Sequence, residues 1–306
     1  MTDYRLYPDR RQVIGGLAVG AIAGLAPAAE AQPSALRFLA VGDWGRDGAS
    51  HQRDVAAQMG RTAQAIDARF ILSVGDNFYE NGVASTQDPQ WKTSFEEVYV
   101  AAALQRPWYV TLGNHDHRGS PQAQIDYSAT SPRWRMPSAY FKVSGAELGF
   151  PDLDLFGLDT TPIVSPLAAR ATGDAQLAWL DAELARSTAP WKLVFGHHTT
   201  FSGGDHGNTG RLVDDLKPLL ERHGVQAYLN GHDHDLQHIE VDGVSYICTG
   251  AGSETRPVKA IAGTKFCLSR SGFTAYELTA RTLTVTFRDY EGQALHQAVI
   301  PQRRAA

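Results

Sequence analysis

The segment Trp108-Tyr109-Val110-Thr111-Leu112-Gly113-Asn114-His115-Asp116 is an apolar run that ends in a short polar motif. Four other runs have the same form: Leu36–Val41 before Gly42-Asp43-Trp44-Gly45, Phe70–Val74 before Gly75-Asp76-Asn77-Phe78-Tyr79, Trp191–Phe195 before Gly196-His197-His198, and Val225–Leu229 before Asn230-Gly231-His232-Asp233-His234. Short β-rich apolar runs predict buried strands. Because ligands of open α/β sheets bind at the carboxyl ends of strands, all five motifs are expected on the side where a site forms.

The rest of the pattern indicates an α/β domain. A sixth strand is predicted at Leu153–Leu158, and helices are predicted at His51–Asp67, Asp174–Arg186, with Asp174 as N-cap, and Gly210–His223. Alternation of strands and helices favours largely parallel strands. The last third reads instead as strands joined by tight turns: Gln237–Val241, Val244–Thr249, Phe273–Leu278, Thr282–Arg288 and Leu295–Ile300. We therefore expect one α/β domain whose second sheet is mostly antiparallel.

Residues 1–31 are predicted to be an export signal. Arg10-Arg11 is a twin arginine, the Gly/Ala-rich apolar run from Val13 to Ala26 follows, and Ala29-Glu30-Ala31 fits a cleavage site. The run is short and weakly hydrophobic for a permanent span, although an N-terminal membrane anchor is the alternative. We expect residues 32–306 to form a single domain, periplasmic or secreted by the twin-arginine route, with no stable membrane anchor after cleavage.

Composition sets further bounds. The chain has 306 residues and a net charge of −5, which gives no reason to expect a nucleic-acid partner. Its two cysteines, Cys248 and Cys267, are not in a metal-type pair. In an oxidising compartment they form either one disulfide or two buried free thiols, and the sequence does not decide between these.

The residue types in the five motifs suit a metal site. Carboxylate, amide oxygen and imidazole are ligands for iron, manganese and zinc, whereas a soft-metal site would use thiolate. No cysteine lies in the motifs. His232 and His234 are two residues apart, so in extended backbone they share a face and each could serve a different metal of a pair.

The ordered set resembles the metallophosphoesterase superfamily, and within it the purple acid phosphatases. Trp44 follows the first metal-binding Asp, and Tyr79 lies three residues after Asp76. The resemblance runs from Leu36 to Arg304 and is closest to the small tartrate-resistant type of animals. It implies a four-layer α/β/β/α sandwich built on two mixed sheets.

The same resemblance implies a dinuclear centre. One set of ligands would hold Fe(III), a second set a divalent Fe, Zn or Mn ion, and one carboxylate would bridge them. The three groups are, in that order, Asp43, Tyr79 and His234; Asn114, His197 and His232; and Asp76.

Further residues are assigned to catalysis by the resemblance. His115 and His206 would contact the substrate and supply the proton that the leaving alkoxide needs, since a protonated imidazole is a suitable acid. Asp116 is expected to orient His115 or another neighbour of the site. His198 and Asp233 are expected to border the ligands.

The implied activity is that of an acid phosphatase, in which a metal-bound hydroxide attacks a phosphate monoester. One alternative keeps the metals but changes the substrate to a phosphodiester or a nucleotide polyphosphate. Another is a metal-binding protein without catalysis, which the presence of His115 and His206 disfavours. We expect the protein to be a monomer. We expect its binding partners to be small phosphate esters. His198 and Asp235 stand where the animal enzymes usually have Tyr and Asn, which leaves the substrate preference open.

Overall fold

The computed structural model describes residues 35–165 and 170–302, so the predicted export signal lies outside the described residues. Within these ranges there are fourteen strands: β1 (Leu36–Val41), β2 (Phe70–Val74), β3 (Trp108–Thr111), β4 (Trp134–Arg135), β5 (Phe141–Val143), β6 (Leu153–Gly157), β7 (Trp191–Phe195), β8 (Ala227–Asn230), β9 (Leu236–Val241), β10 (Val244–Thr249), β11 (Thr264–Leu268), β12 (Gly272–Leu278), β13 (Thr282–Asp289) and β14 (Ala294–Pro301). The α-helices are α1 (Gln52–Ile66), α2 (Pro121–Asp126), α3 (Gly145–Leu148), α4 (Thr160–Val164), α5 (Arg170–Arg186) and α6 (Lys217–Arg222).

The strands form two seven-stranded mixed sheets. The first has the order β14-β13-β12-β1-β2-β3-β4, with β1 to β4 parallel and β12 to β14 antiparallel. The second has the order β11-β9-β10-β8-β7-β6-β5, with β10, β8, β7 and β6 parallel. The expectation of a mostly antiparallel second sheet is therefore wrong, since the four central strands of that sheet are parallel. The C-terminal strands divide between the sheets, because each sheet completes its parallel centre with antiparallel edges.

The sheets pack face to face between two layers of helices. Alternate residues of β1 point to opposite faces, as strand geometry requires. Phe38 and Ala40 lie in the core between the sheets, whereas Leu39 and Val41 pack in a separate outer core with α1. On the far side, Leu180 of α5 and Val194 of β7 share a third core. Burial of strands on both faces explains their continuous apolar runs, and the predicted four-layer sandwich is confirmed.

Several predicted elements match closely and others do not. β1, β2 and β7 have the predicted bounds. Asp174 does not cap its helix, since α5 already includes Arg170. The third predicted helix is present over residues 210–222, with a π-helical segment, Leu212–Leu216, directly before α6. No helix among the described residues is both long and apolar enough to span a bilayer.

The two cysteines are free thiols on either side of one strand. Cys248 of β10 and Cys267 of β11 are both register partners of Gln237 in β9. Because β9 lies between them, the sulfur atoms are separated by a full strand and the disulfide alternative does not hold in this structure.

Candidate metal centre

All five polar motifs converge at the carboxyl ends of parallel strands from both sheets. β1, β2 and β3 lead into Asp43, Asp76 and Asn114, while β7 and β8 lead into His197 and His232. Possible ligand atoms of Asp43, Asp76 and His197 all lie within 4.8 Å of one another, and the three residues are buried. The structure thus brings both sheets to a single cluster of metal-ligating groups.

One set of donors surrounds the Tyr79 hydroxyl. It lies 3.0 Å from Asp43 Oδ1, 3.0 Å from Asp76 Oδ2 and 2.9 Å from His234 Nε2. A phenol has a single hydrogen, so it cannot satisfy three such partners at once. The excess of lone pairs at this point is what a cation would neutralise, and this set fits a metal ion.

A second set surrounds His197 Nε2, which lies 3.1 Å from Asn114 Oδ1, 3.2 Å from His232 Nδ1 and 3.4 Å from Asp76 Oδ2. The other ring nitrogen, Nδ1, lies 3.0 Å from the carbonyl oxygen of Val74. A carbonyl only accepts, so Nδ1 carries the hydrogen and Nε2 of the neutral ring offers a lone pair to the cluster. This set also fits a metal ion.

The two sets meet at Asp76 Oδ2, which belongs to both. All seven predicted ligands are therefore brought together in two groups that share the predicted bridging residue. The groups have the predicted membership: Asp43, Tyr79 and His234 on one side of Asp76, and Asn114, His197 and His232 on the other.

The electrostatics of the buried groups favour positive charge in the cluster. Burial lowers the pKa of His197, but Asp76 and Asp43 outweigh it and raise that pKa to about 9. The proton on His197 Nε2 lies where a metal cation would satisfy the same carboxylates. Burial, followed by the neighbouring His198 and His197, lowers the pKa of His232, so its imidazole is neutral, as a ligand must be.

The backbone is strained at three of the ligands. Asp43, Asp76 and His232 have φ values of 59°, 49° and 73°, in the left-handed region that non-glycine residues seldom adopt. Such conformations cluster at functional sites, where surrounding structure enforces them. Gly113 and Gly231 allow the close approach: a Cβ at Gly113 would overlap Asp76, and one at Gly231 would overlap the Asp43 carboxylate.

The predicted catalytic histidines lie beside the centre and are anchored alike. His115 Nδ1 is 2.6 Å from the carbonyl oxygen of Glu80, and its Nε2 is 4.0 Å from Asp76 Oδ2. His206 Nδ1 is 2.8 Å from Asp233 Oδ1, and its ring centroid is 4.0 Å from that of His232. In each case Nδ1 is used for anchoring and Nε2 is left for the site.

Asp233 and His198 support neighbouring histidines. Burial raises the pKa of Asp233, but hydrogen bonds from His206 and Ser202 outweigh it and lower that pKa. The carboxylate therefore stays ionised next to His206. His198 packs 4.4 Å from His232, centroid to centroid, and burial lowers its pKa well below the usual value.

Asp116 makes its hydrogen bonds to neighbours of the site other than His115. Its buried carboxylate accepts hydrogen bonds from the backbone N–H groups of Gly113 and Asn77, at 2.8 and 3.1 Å, and from the side chain of Gln124 at 2.8 Å. It thereby joins the loop after β2 to the loop after β3. Asp76 and Asn114 project from these two loops, so Asp116 fixes their spacing.

Sequence reasoning missed Arg46 and Glu80. Arg46 Cζ lies 3.9 Å from the centroid of the Tyr79 ring, and its Nη1 donates to Glu80 Oε1 at 2.9 Å. Both residues follow metal motifs directly, but charged residues in a loop are usually solvated. Only the position of Arg46, three residues after Asp43, gave any signal.

Known proteins are similar to this chain in sequence and in fold. A family model described as calcineurin-like phosphoesterase matches residues 36–236. Purple acid phosphatase 3 of Arabidopsis thaliana is 39% identical over 288 residues, covering 85% of this chain and 76% of that protein. Tartrate-resistant acid phosphatase type 5 of Homo sapiens is 37% identical over 309 residues, covering 90% and 94%. Among solved structures, GAP50, the anchor in the inner membrane complex of Plasmodium, superposes with a TM-score of 0.80 over 89% of this chain and 90% of that chain; at 24% identity this concerns the fold alone.

The matching family model and the cluster of metal-ligating groups place the chain in the class of the calcineurin-like phosphoesterases. Within this class the chain belongs to the purple acid phosphatase family, which it matches over most of its length. The predicted family, including the likeness to the small tartrate-resistant type, is confirmed.

Proposed function

We propose that the protein is an acid phosphatase that hydrolyses phosphate monoesters at a centre containing Fe(III) and a divalent Fe, Zn or Mn ion. The observation that carries the proposal is the pair of donor sets that share Asp76 Oδ2. Only the set around Tyr79 contains a phenol, and a phenolate is a hard donor suited to a ferric ion. When bound, the two ions supply a nucleophile from water and neutralise charge on the phosphate.

The protein's own groups divide the remaining work. His206 Nδ1 is hydrogen-bonded to the buried Asp233 carboxylate at 2.8 Å, which leaves Nε2 to donate a proton toward the site. His115 Nδ1 is held by the carbonyl oxygen of Glu80 at 2.6 Å, which fixes its tautomer, and the Glu80 carboxylate lies 3.6 Å from the same nitrogen. We therefore assign contact with the substrate and proton donation to the leaving oxygen to His206 and His115.

Metal analysis with a visible spectrum tests the centre. We expect close to two metals per chain, at least one of them iron, and a visible band from tyrosinate-to-iron charge transfer. Tyr79→Phe should abolish that band, since no other phenol lies in the donor sets. One metal or none would refute the dinuclear centre, and a band that survives the substitution would remove Tyr79 from the ligands.

A series of substrates tests the reaction. Rates on a phenyl monoester should exceed those on a bis-phenyl diester and on ATP. His206→Ala should slow esters with poor leaving groups more than esters with good ones, because only a poor leaving group needs the proton. Equal losses would deny His206 the acid role, and full metal occupancy without hydrolysis of any ester would favour a non-catalytic metal-binding protein.

The cellular location is part of the proposal. The twin arginine at Arg10-Arg11 supports export to the periplasm or beyond. Replacing both residues with lysine should leave the protein in the cytoplasm with its first residues uncleaved. Unchanged export of that variant in cell fractions would refute the twin-arginine route.

A further inference from the structure

The guanidinium of Arg46 lies over the ring of Tyr79 and is held there from two sides. Its Nη1 is 2.9 Å from Glu80 Oε1, and its Nη2 is 3.0 Å from Glu254 Oε2. The side chain is only 12% exposed, and its Cζ is 3.9 Å from the ring centroid. With both terminal nitrogens paired, this cation is not free to bind a substrate anion.

The position of this charge matters for Tyr79. A cation over an aromatic face is attracted to the ring, and it interacts more strongly with a phenolate, which carries a negative charge. The carboxylates of Asp43 and Asp76 lie 3.0 Å from the Tyr79 hydroxyl, whereas Arg46 is a cation over its ring. Of these groups, Arg46 is the one that favours the phenolate, the form that binds a metal.

We propose that Arg46 is a positioning residue that sets how strongly Tyr79 donates electrons to the metal. This inference rests on the proposed function, because it takes Tyr79 as a phenolate ligand of Fe(III). A positive charge beside the ring stabilises the phenolate electrons, so more energy is needed to move one toward the ferric ion. The visible band is thereby kept at shorter wavelength, and the ferric ion is easier to reduce.

A purely structural role must be separated from this electronic one. Arg46 also ties the loop after β1 to Glu80 and Glu254, so its loss could loosen the site. Arg118 is a matched control, because it is exposed and its Nη1 lies 3.4 Å from the Glu80 carbonyl oxygen, near the same loop. Glu254→Gln is a second control, since it weakens the ties but keeps the cation over the ring.

The test is the visible spectrum and the reduction potential of the iron-loaded full chain. Arg46→Met should move the band to longer wavelength and lower the ferric potential. Arg118→Met should leave both unchanged although it removes the same charge, and Glu254→Gln should not move the band to longer wavelength. If Arg46→Met does not retain iron, Arg46→Gln gives the same comparison, because it can still donate to Glu80.

Two results would overturn the inference: a band at the wild-type wavelength in the Arg46 variants, or the same shift in the Glu254 variant. These differ from failure of the proposed function, in which the wild type binds iron without a visible band or Tyr79→Phe retains the band. If the wild type binds iron without a visible band, or if Tyr79→Phe retains the band, both proposals are overturned.

Discussion

Acid should destabilise this protein through His238, a buried histidine on β9. Its side chain is 4% exposed, Nε2 lies 3.2 Å from Ser245 Oγ, and Nδ1 has no partner in the part of the chain that the structure describes. Burial, reinforced by the positive charges of His296 and Lys265, lowers the pKa of His238 to about 4. Protonation of His238 in the folded state would place a further positive charge close to His296 and Lys265, with no carboxylate partner among the described residues.

The sign and size follow from linkage. Above pH 6.5 neither state carries the extra proton, and the stability contribution of His238 is complete. As the pH falls from 6.5 toward 4, the unfolded chain binds a proton that the folded chain does not, so stability is lost progressively. The drop in pKa from 6.5 to about 4 corresponds to about 3 kcal/mol, at about 1.4 kcal/mol per pKa unit.

Denaturant unfolding of the wild type and of His238→Gln between pH 7 and pH 4 measures this contribution. The substitution should cost some stability at pH 7, where the bond to Ser245 is lost. Toward pH 4 the variant should gain on the wild type by up to about 3 kcal/mol, because it has no imidazole to protonate. His51→Gln, which removes a half-exposed histidine, controls for loss of an imidazole in general. Parallel pH profiles for wild type and His238→Gln would refute the reasoning.

Two further outcomes are expected. Gly113→Ala should lower the metal content well below two per chain, because its Cβ would overlap Asp76, whereas Gly210→Ala, with nothing within 4 Å of its Cβ, should retain wild-type metal content; metal analysis of both purified variants decides this, and full occupancy of Gly113→Ala would contradict it. Cys248 and Cys267 should both react with a thiol reagent after denaturation without reductant, whereas absence of reactive thiols would reveal a disulfide that the strand order disfavours.

Much of this site could be predicted because its ligands lie directly after strands. An apolar run followed by Gly-Asp or Gly-Asn-His determines both the strand and the end of the sheet to which its motif belongs. The position of Asp43 and Asn114 therefore followed from local sequence. Their division into two donor sets came from family resemblance, since it depends on distances between strands of different sheets.

Other features depend on long-range contacts that local sequence does not carry. Asp116 was expected to orient His115 or another neighbour of the site, and local sequence did not indicate that its carboxylate bonds to Asn77, 39 residues away. The partner of Arg46 is likewise distant, since Tyr79 lies on a different loop. The division of the last strands between two sheets also escaped prediction, because hairpin signals indicate which strands pair but not which sheet they join.

The origin of the ligands has a consequence for assembly of the molecule. Neither sheet supplies a complete donor set. The set around Tyr79 needs His234 from the second sheet, and the set around His197 needs Asp76 and Asn114 from the first. Asp43 and His232 are in contact across 189 positions of chain. Only a chain in which the two sheets have docked can therefore hold either ion, so metal content reports on docking of the sheets. Once bound, the ions cross-link the two sheets. They stabilise the docked state, and a lower dissociation constant gives a larger stabilisation.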